Sequence, residues 1–126
     1  MVICAGKVYY DLEAARGEQV DGRTAVVRLE QFYPYPESRL QEIVASYPNL
    51  KELFWTQEEP RNMGGWWFMR SRLEALKPTN AKLEYVGRVA SASPATGSYV
   101  IHELEQKQIV DRALIHEGDA IASASD

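Results

Sequence analysis

Between Leu53 and Leu76 the chain reads LFWTQEEPRNMGGWWFMRSRLEAL, and its order of apolar and polar positions predicts three elements in succession. Leu53, Phe54 and Trp55 are contiguous and apolar, the pattern of a strand covered on both faces, and Gln57-Glu58-Glu59-Pro60 brings that strand to a polar stop. Pro60 has no N–H for a sheet ladder, and Gly64-Gly65 open backbone angles closed to other residues, so a loop follows. Trp66, Met69, Leu73 and Leu76 then recur at helical spacing, which predicts a helix with one buried face.

The same alternation runs through the rest of the chain. Val2-Ile3-Cys4-Ala5 reads as a buried strand opening through Gly6-Lys7 onto a helix with Val8, Leu12 and Ala15 on one face. After the turn signal Asp21-Gly22 comes the strand Ala25 to Leu29, giving a β-α-β unit with a right-handed crossover. Tyr33-Pro34-Tyr35-Pro36 is a stiff link, and Leu40, Ile43, Val44 and Tyr47 mark a second helix that Pro48-Asn49 ends. Beyond the central helix, Leu83 to Gly87 is a fourth strand. A last helix carries Val100, Ile101, Leu104, Val110 and Leu114 broadly on one face and ends near His116 and Gly118. Four strands alternating with four helices predict a three-layer α/β/α fold with a mainly parallel sheet of about four strands. One domain is expected over residues 1–118, with 119–126 a disordered tail. A strand beginning at Met1 lacks the usual lead-in, so a longer parent polypeptide is expected.

Composition narrows the function classes. With 126 residues, 45% hydrophobic and 25% charged, the chain is sized for one domain with a real core, and no apolar run approaches the roughly 20 residues of a membrane span. A net charge of -4 gives no electrostatic case for nucleic acid. Cys4 is the single cysteine, which excludes an internal disulfide and a cysteine-based metal site and fits a reducing, intracellular compartment.

Candidate chemistry is sparse. Glu58 and Glu59 are adjacent, so on a strand they point to opposite faces and cannot serve one bond as a dyad; they read instead as partners of a neighbouring Arg or as an interface. His102 and His116 stand roughly 20 Å apart along one helix and cannot share a metal. No catalytic, cofactor-binding or metal-ligating residue is assigned. Gly6-Lys7 lacks the rest of a phosphate-loop signature. Of the consecutive Trp66 and Trp67, one must face outward, which marks an interface. Arg88 with Thr96, Gly97 and Ser98 at a helix start is the candidate anion or effector site, the alternative being that Thr96 or Ser98 caps the helix while Arg88 pairs with Glu58 or Glu59.

Four segments bear a family resemblance when taken together: Gly6 to Leu12, Val27 to Gln31 with Tyr33-Pro34, Trp55 to Pro60 with Asn62 and Gly64, and above all Tyr85-Val86-Gly87-Arg88 followed by Ala90 to Gly97. In order and spacing they resemble the C-terminal domain of the dehydrogenase component of the 2-oxoglutarate dehydrogenase complex, over about Val2 to Leu114. Ala5, Met63 and Gly65 depart from the residues common there (Ser, Gln and Ala). The resemblance implies a transketolase-like C-terminal domain, the last of several in a large homodimeric enzyme of the bacterial cytoplasm or mitochondrial matrix. That enzyme oxidatively decarboxylates 2-oxoglutarate with thiamine diphosphate and magnesium, which its preceding domains hold, and passes succinyl to the lipoyl arm of the succinyltransferase component. Gly118-Asp119-Ala120 matches half of the Gly-Asp-Gly motif of thiamine enzymes but lacks the distant Asn that motif requires. The expected role is therefore a non-catalytic assembly and regulatory domain that binds no cofactor itself and contacts the catalytic domains of its own polypeptide. The alternatives are a free-standing nucleotide or coenzyme-A binding module and the C-terminal domain of a transketolase or pyruvate dehydrogenase; the Ala90 to Gly97 run favours the 2-oxoglutarate family over the latter.

Overall fold

The computed structural model describes residues 1–17, 24–90 and 99–114. Strands β1 (Val2–Ala5), β2 (Val26–Leu29), β3 (Glu52–Pro60) and β4 (Lys82–Arg88) alternate with helices α1 (Val8–Gly17), α2 (Glu37–Ala45), α3 (Trp66–Leu76) and α4 (Tyr99–Leu114). The strands form one sheet in the order β2-β1-β3-β4, and every pairing is parallel. The expected α/β/α sandwich is thus the observed one, with a wholly parallel sheet.

The period-2 geometry of the strands divides the core into two layers. Ile3, Leu53 and Trp55 point to one face, where they meet Leu40 and Val44 of α2 and Trp66, Met69 and Leu73 of α3. Val2, Cys4, Phe54 and Val86 point to the other, against Val8 and Leu12 of α1 and Ile109, Val110, Ala113 and Leu114 of α4. Because both faces are covered, the central strands carry apolar residues without alternation, as parallel sheets require.

Three expectations change. The polar end of β3 is not a stop: Gln57 to Pro60 stay in the strand, Pro60 lies in register with Arg88 after an irregularity, and the Arg61 amide donates to the Arg88 carbonyl at 3.0 Å. Pro60 is tolerated because the ladder shifts there and the next amide supplies the bond that a proline cannot. Tyr47 falls beyond α2 and is exposed, since that helix ends at Ala45. On α4, Ile101 and Leu104 are 51% and 56% exposed; the apolar anchor is the last two turns, and the first half is held by polar contacts. Asp21-Gly22, His116 and the tail at 119–126 lie outside the described residues.

Candidate functional site

In the order β2-β1-β3-β4 the chain turns one way from β1 and the other way from β3, so the carboxyl ends of those two strands flank a topological switch point. Open α/β sheets hold ligands in the crevice at such a point. Here the first connection is Gly6-Lys7: Gly6 takes a φ of +81°, a left-handed conformation suited to glycine, and starts α1 within two residues. Lys7 Nζ is thereby brought 2.9 Å from Glu58 Oε1 on β3. The same oxygen accepts 2.7 Å from Gln106 Nε2 of α4, which also donates to Asp11 Oδ2 of α1 at 3.0 Å. One carboxylate and one amide thus tie α1, β3 and α4 together across the crevice. The ammonium is largely exposed, so its ion pair contributes little, on the order of 1 kcal/mol or less.

On the opposite side of β3, Gln57 is 1% exposed and organises the loop that follows. Its Oε1 accepts from the Trp55 indole N–H at 2.8 Å and the Trp66 amide at 3.0 Å. Its Nε2 donates to the carbonyls of Pro60 (2.9 Å) and Met63 (2.8 Å), with that of Glu59 at 3.2 Å. Gly64, at a φ of +67°, passes so close that a Cβ there would meet Glu59 Oε2 at 2.6 Å and Gln57 Oε1 at 3.0 Å. Glu59 therefore faces the loop while Glu58 faces α1 and α4, and the two carboxylates do not converge.

Arg88, at the end of β4, pairs with neither of them. Its Nε lies 3.0 Å from Glu105 Oε2, an ion pair without hydrogen-bond alignment. Its Nη2 donates to His102 Nδ1 at 2.8 Å. A guanidinium only donates, so Nδ1 accepts and the imidazole carries its proton on Nε2. Arg112 Nη1 donates to the Gly87 carbonyl at 3.4 Å, adding a third polar tie between β4 and α4. Beside them the Tyr85 hydroxyl reaches the Arg88 carbonyl at 2.8 Å, with its pKa pushed up by burial, and the Arg61 guanidinium lies over the Trp66 and Tyr85 rings.

Of the two adjacent tryptophans, Trp66 is a core residue at 3% exposure and Trp67 is outside at 58%. Of the tryptophan pair, only Trp67 is therefore left on the surface. Thr96, Gly97 and Ser98 lie outside the described residues, so of the anion-site set only Arg88 has a described environment. Gln57, Lys7 and Gln106 were not singled out from the sequence as a set. A Gln between an apolar strand and a Gly loop was the available signal for the first.

Among the described residues no group of three or more His, Cys, Asp or Glu could hold a metal ion, and no helix is long and apolar enough to cross a membrane. At the carboxyl end of β3, Glu58 is engaged by Lys7 and Gln106, and Glu59 turns away toward Gly64, so these two carboxylates do not share a site.

A family model described as 2-oxoglutarate dehydrogenase C-terminal matches residues 1–114. The 2-oxoglutarate dehydrogenase E1 component of Geobacillus kaustophilus is 46% identical over 116 residues, and that of Cupriavidus necator 43% over 113. The oxoglutarate dehydrogenase of Buchnera aphidicola is 43% identical over 114 residues. In each case 90% of this chain is covered, and it spans 12% of the relative's length.

Proposed function

Because the chain belongs to the 2-oxoglutarate dehydrogenase C-terminal family, matched over residues 1–114, we propose that it is the non-catalytic assembly and regulatory domain of a 2-oxoglutarate dehydrogenase. The whole protein, on this reading, oxidatively decarboxylates 2-oxoglutarate with thiamine diphosphate and magnesium and delivers succinyl to the lipoyl arm of a succinyltransferase partner. It works as a homodimer in the cytoplasm or the mitochondrial matrix. The observation that carries the reading is the crevice at the switch point, where Lys7, Glu58, Gln106 and Asp11 bind one another and brace three elements. Polar groups committed in this way hold a scaffold rigid, which is the task of a domain that positions catalytic neighbours.

Calorimetry with thiamine diphosphate and magnesium tests the non-catalytic part. The 126-residue chain is expected to give no saturable heat and to release no carbon dioxide from 2-oxoglutarate. Micromolar binding, worth about 8 kcal/mol, overturns the assignment.

The regulatory part assigns an anion to Arg88 with Thr96, Gly97 and Ser98. It is supported by a guanidinium at the carboxyl end of β4 whose carboxylate partner, Glu105, comes from the helix that follows. An anion there competes with Glu105. Inorganic phosphate is therefore expected to shift the amides of residues 96 to 99 together, with affinity lost in Arg88→Ala and raised several-fold in Glu105→Gln. Unchanged shifts in Glu105→Gln up to tens of millimolar phosphate leave Arg88 as an anchor of α4 and nothing more.

A further inference from the structure

The first half of α4 lies on the sheet without an apolar anchor of its own: Ile101 and Leu104 are exposed, and the buried contacts of the helix begin at Ile109. Polar ties hold it instead. One is the Gln106 amide, on Glu58 and Asp11. The other is a cluster in which Arg88 of β4 donates from Nη2 to His102 Nδ1 at 2.8 Å while its Nε stands 3.0 Å from Glu105 Oε2. The Arg88 side chain is only 11% exposed, so its charge is largely shut from water while the helix is down. Arg88 Nε and Glu105 Oε2 are buried and out of line for a hydrogen bond, so that ion pair is a poor hold by itself and the imidazole nitrogen supplies the aligned acceptor.

We propose that this cluster is a proton-operated latch on the first half of α4, closed by a neutral His102 and opened when the imidazole takes up a proton. The closed form needs a bare Nδ1, because a guanidinium can only donate. A proton there sets N–H against N–H and cation beside cation in a site of low exposure, where like charges repel strongly. His102 is also the fourth residue of α4, close to the positive end of the helix dipole, which adds to the repulsion. Glu105, one turn on, is the near carboxylate, and it is already set against Arg88. From the other elements, Glu58 of β3 with Lys7 and Asp11 of α1 meet the helix one turn farther along, around Gln106, and Arg112 meets β4 at the Gly87 carbonyl. The closed latch thus binds one proton fewer than the open one, so falling pH favours opening. An ordinary imidazole titrates at about 6.5; a closed form that excludes the proton, set against an open form that takes it up freely, makes opening about tenfold more favourable at pH 5.5 than above pH 7. The latch rests on the geometry of this cluster and stands whether or not an anion binds at Arg88.

Amide hydrogen exchange of the 126-residue chain at pH 7.5 and 5.5, each corrected for the intrinsic rate, reads the latch directly. Residues 103–106 are the ones to follow, since the first four amides of a helix have no intrahelical partner to lose. Their protection is expected to fall about tenfold in acid, while residues 109–114, held by the core, keep theirs. His102→Gln retains an acceptor for Arg88 and takes up no proton, so its protection should not fall in acid. Arg88→Met removes the opposing charge and should abolish the fall as well, from whatever level of protection it starts. The Met1 amine, whose pKa burial lowers, is the same in wild type and His102→Gln and drops out of their difference. Equal protection of residues 103–106 at the two pH values in wild type overturns the proposal, as does a tenfold fall that survives in either variant. A fall shared equally by residues 109–114 overturns it too, because the whole domain and not the latch would then be responding.

Discussion

Replacing Gln57 by Leu is expected to lower stability by about 3 kcal/mol or more, a large share of the roughly 5–15 kcal/mol that usually holds a domain folded. Leucine keeps the volume and removes the amide. The Trp55 indole N–H, the Trp66 amide and the Met63 carbonyl then lose their partner inside the fold, while the Pro60 carbonyl keeps the Met63 amide at 2.9 Å. Each orphaned group costs about 1–3 kcal/mol. Denaturation midpoints in urea at constant m-value give the number. Gln57→Glu separates the two ends of the amide. As a carboxylate it still accepts from Trp55 and Trp66, but it sets negative charge against the two carbonyls. Its deficit should shrink in acid, where a protonated carboxyl can donate to one of them. A Leu variant within about 1 kcal/mol of wild type would refute the hub, as that is the net worth of one ordinary hydrogen bond.

Raising the pH above 9 should withdraw about 4 kcal/mol of stability by about pH 12 through Cys4 alone. Burial pushes this thiol up to about 12 from an ordinary 9, and the Arg28 charge offsets only part of the effect. Below pH 9 the thiol is neutral in both folded and unfolded chains, so it imposes no pH dependence. Between the two values the unfolded chain gives up the proton while the folded chain keeps it, so stability falls as pH rises. Other groups titrate in the same window, so the measurement is the difference between wild type and Cys4→Ala. Cys4→Ala loses packing at every pH but should lack this part of the slope. At pH 8 the folded thiol should also react with a disulfide reagent at least about 10³-fold more slowly than in denaturant, because reaction requires opening. Equal slopes for the two proteins would remove Cys4 from the account.

The fold was legible because each element announced itself by a period. Val2 to Ala5 matches β1 residue for residue, and Trp66, Met69 and Leu73 form the buried face of α3. Where reading failed, a polar residue was buried or an apolar one was left outside. Gln57 to Pro60 looked like a stop because sequence gives no sign that a glutamine will find two donors and two acceptors, and only the folded loop supplies them. Ile101 and Leu104 looked like core because hydropathy does not tell which half of a helix reaches the sheet. In α4 it is the half from Ile109 onward. The alternative to an anion site at Arg88 was a pairing with Glu58 or Glu59, and that pairing is not found. The partner came from α4 instead, since Glu58 already faces Lys7 and Gln106.

The interior place of β1 sets an order for synthesis. β1 leaves the ribosome ahead of both its neighbours, and its inner partner β3 begins at Glu52, while Val2 pairs with Phe54. During that interval the only partner in this sheet that the first strand can reach is β2, and its other edge, lined by Val2, Ile3 and Cys4, stays open to any extended chain nearby. Parallel pairings of this span close slowly and leave such edges available to wrong partners. The nascent chain is thus most exposed to aggregation between the emergence of β2 and that of β3, and a chaperone that shields it in that window should raise yield more than one added after release.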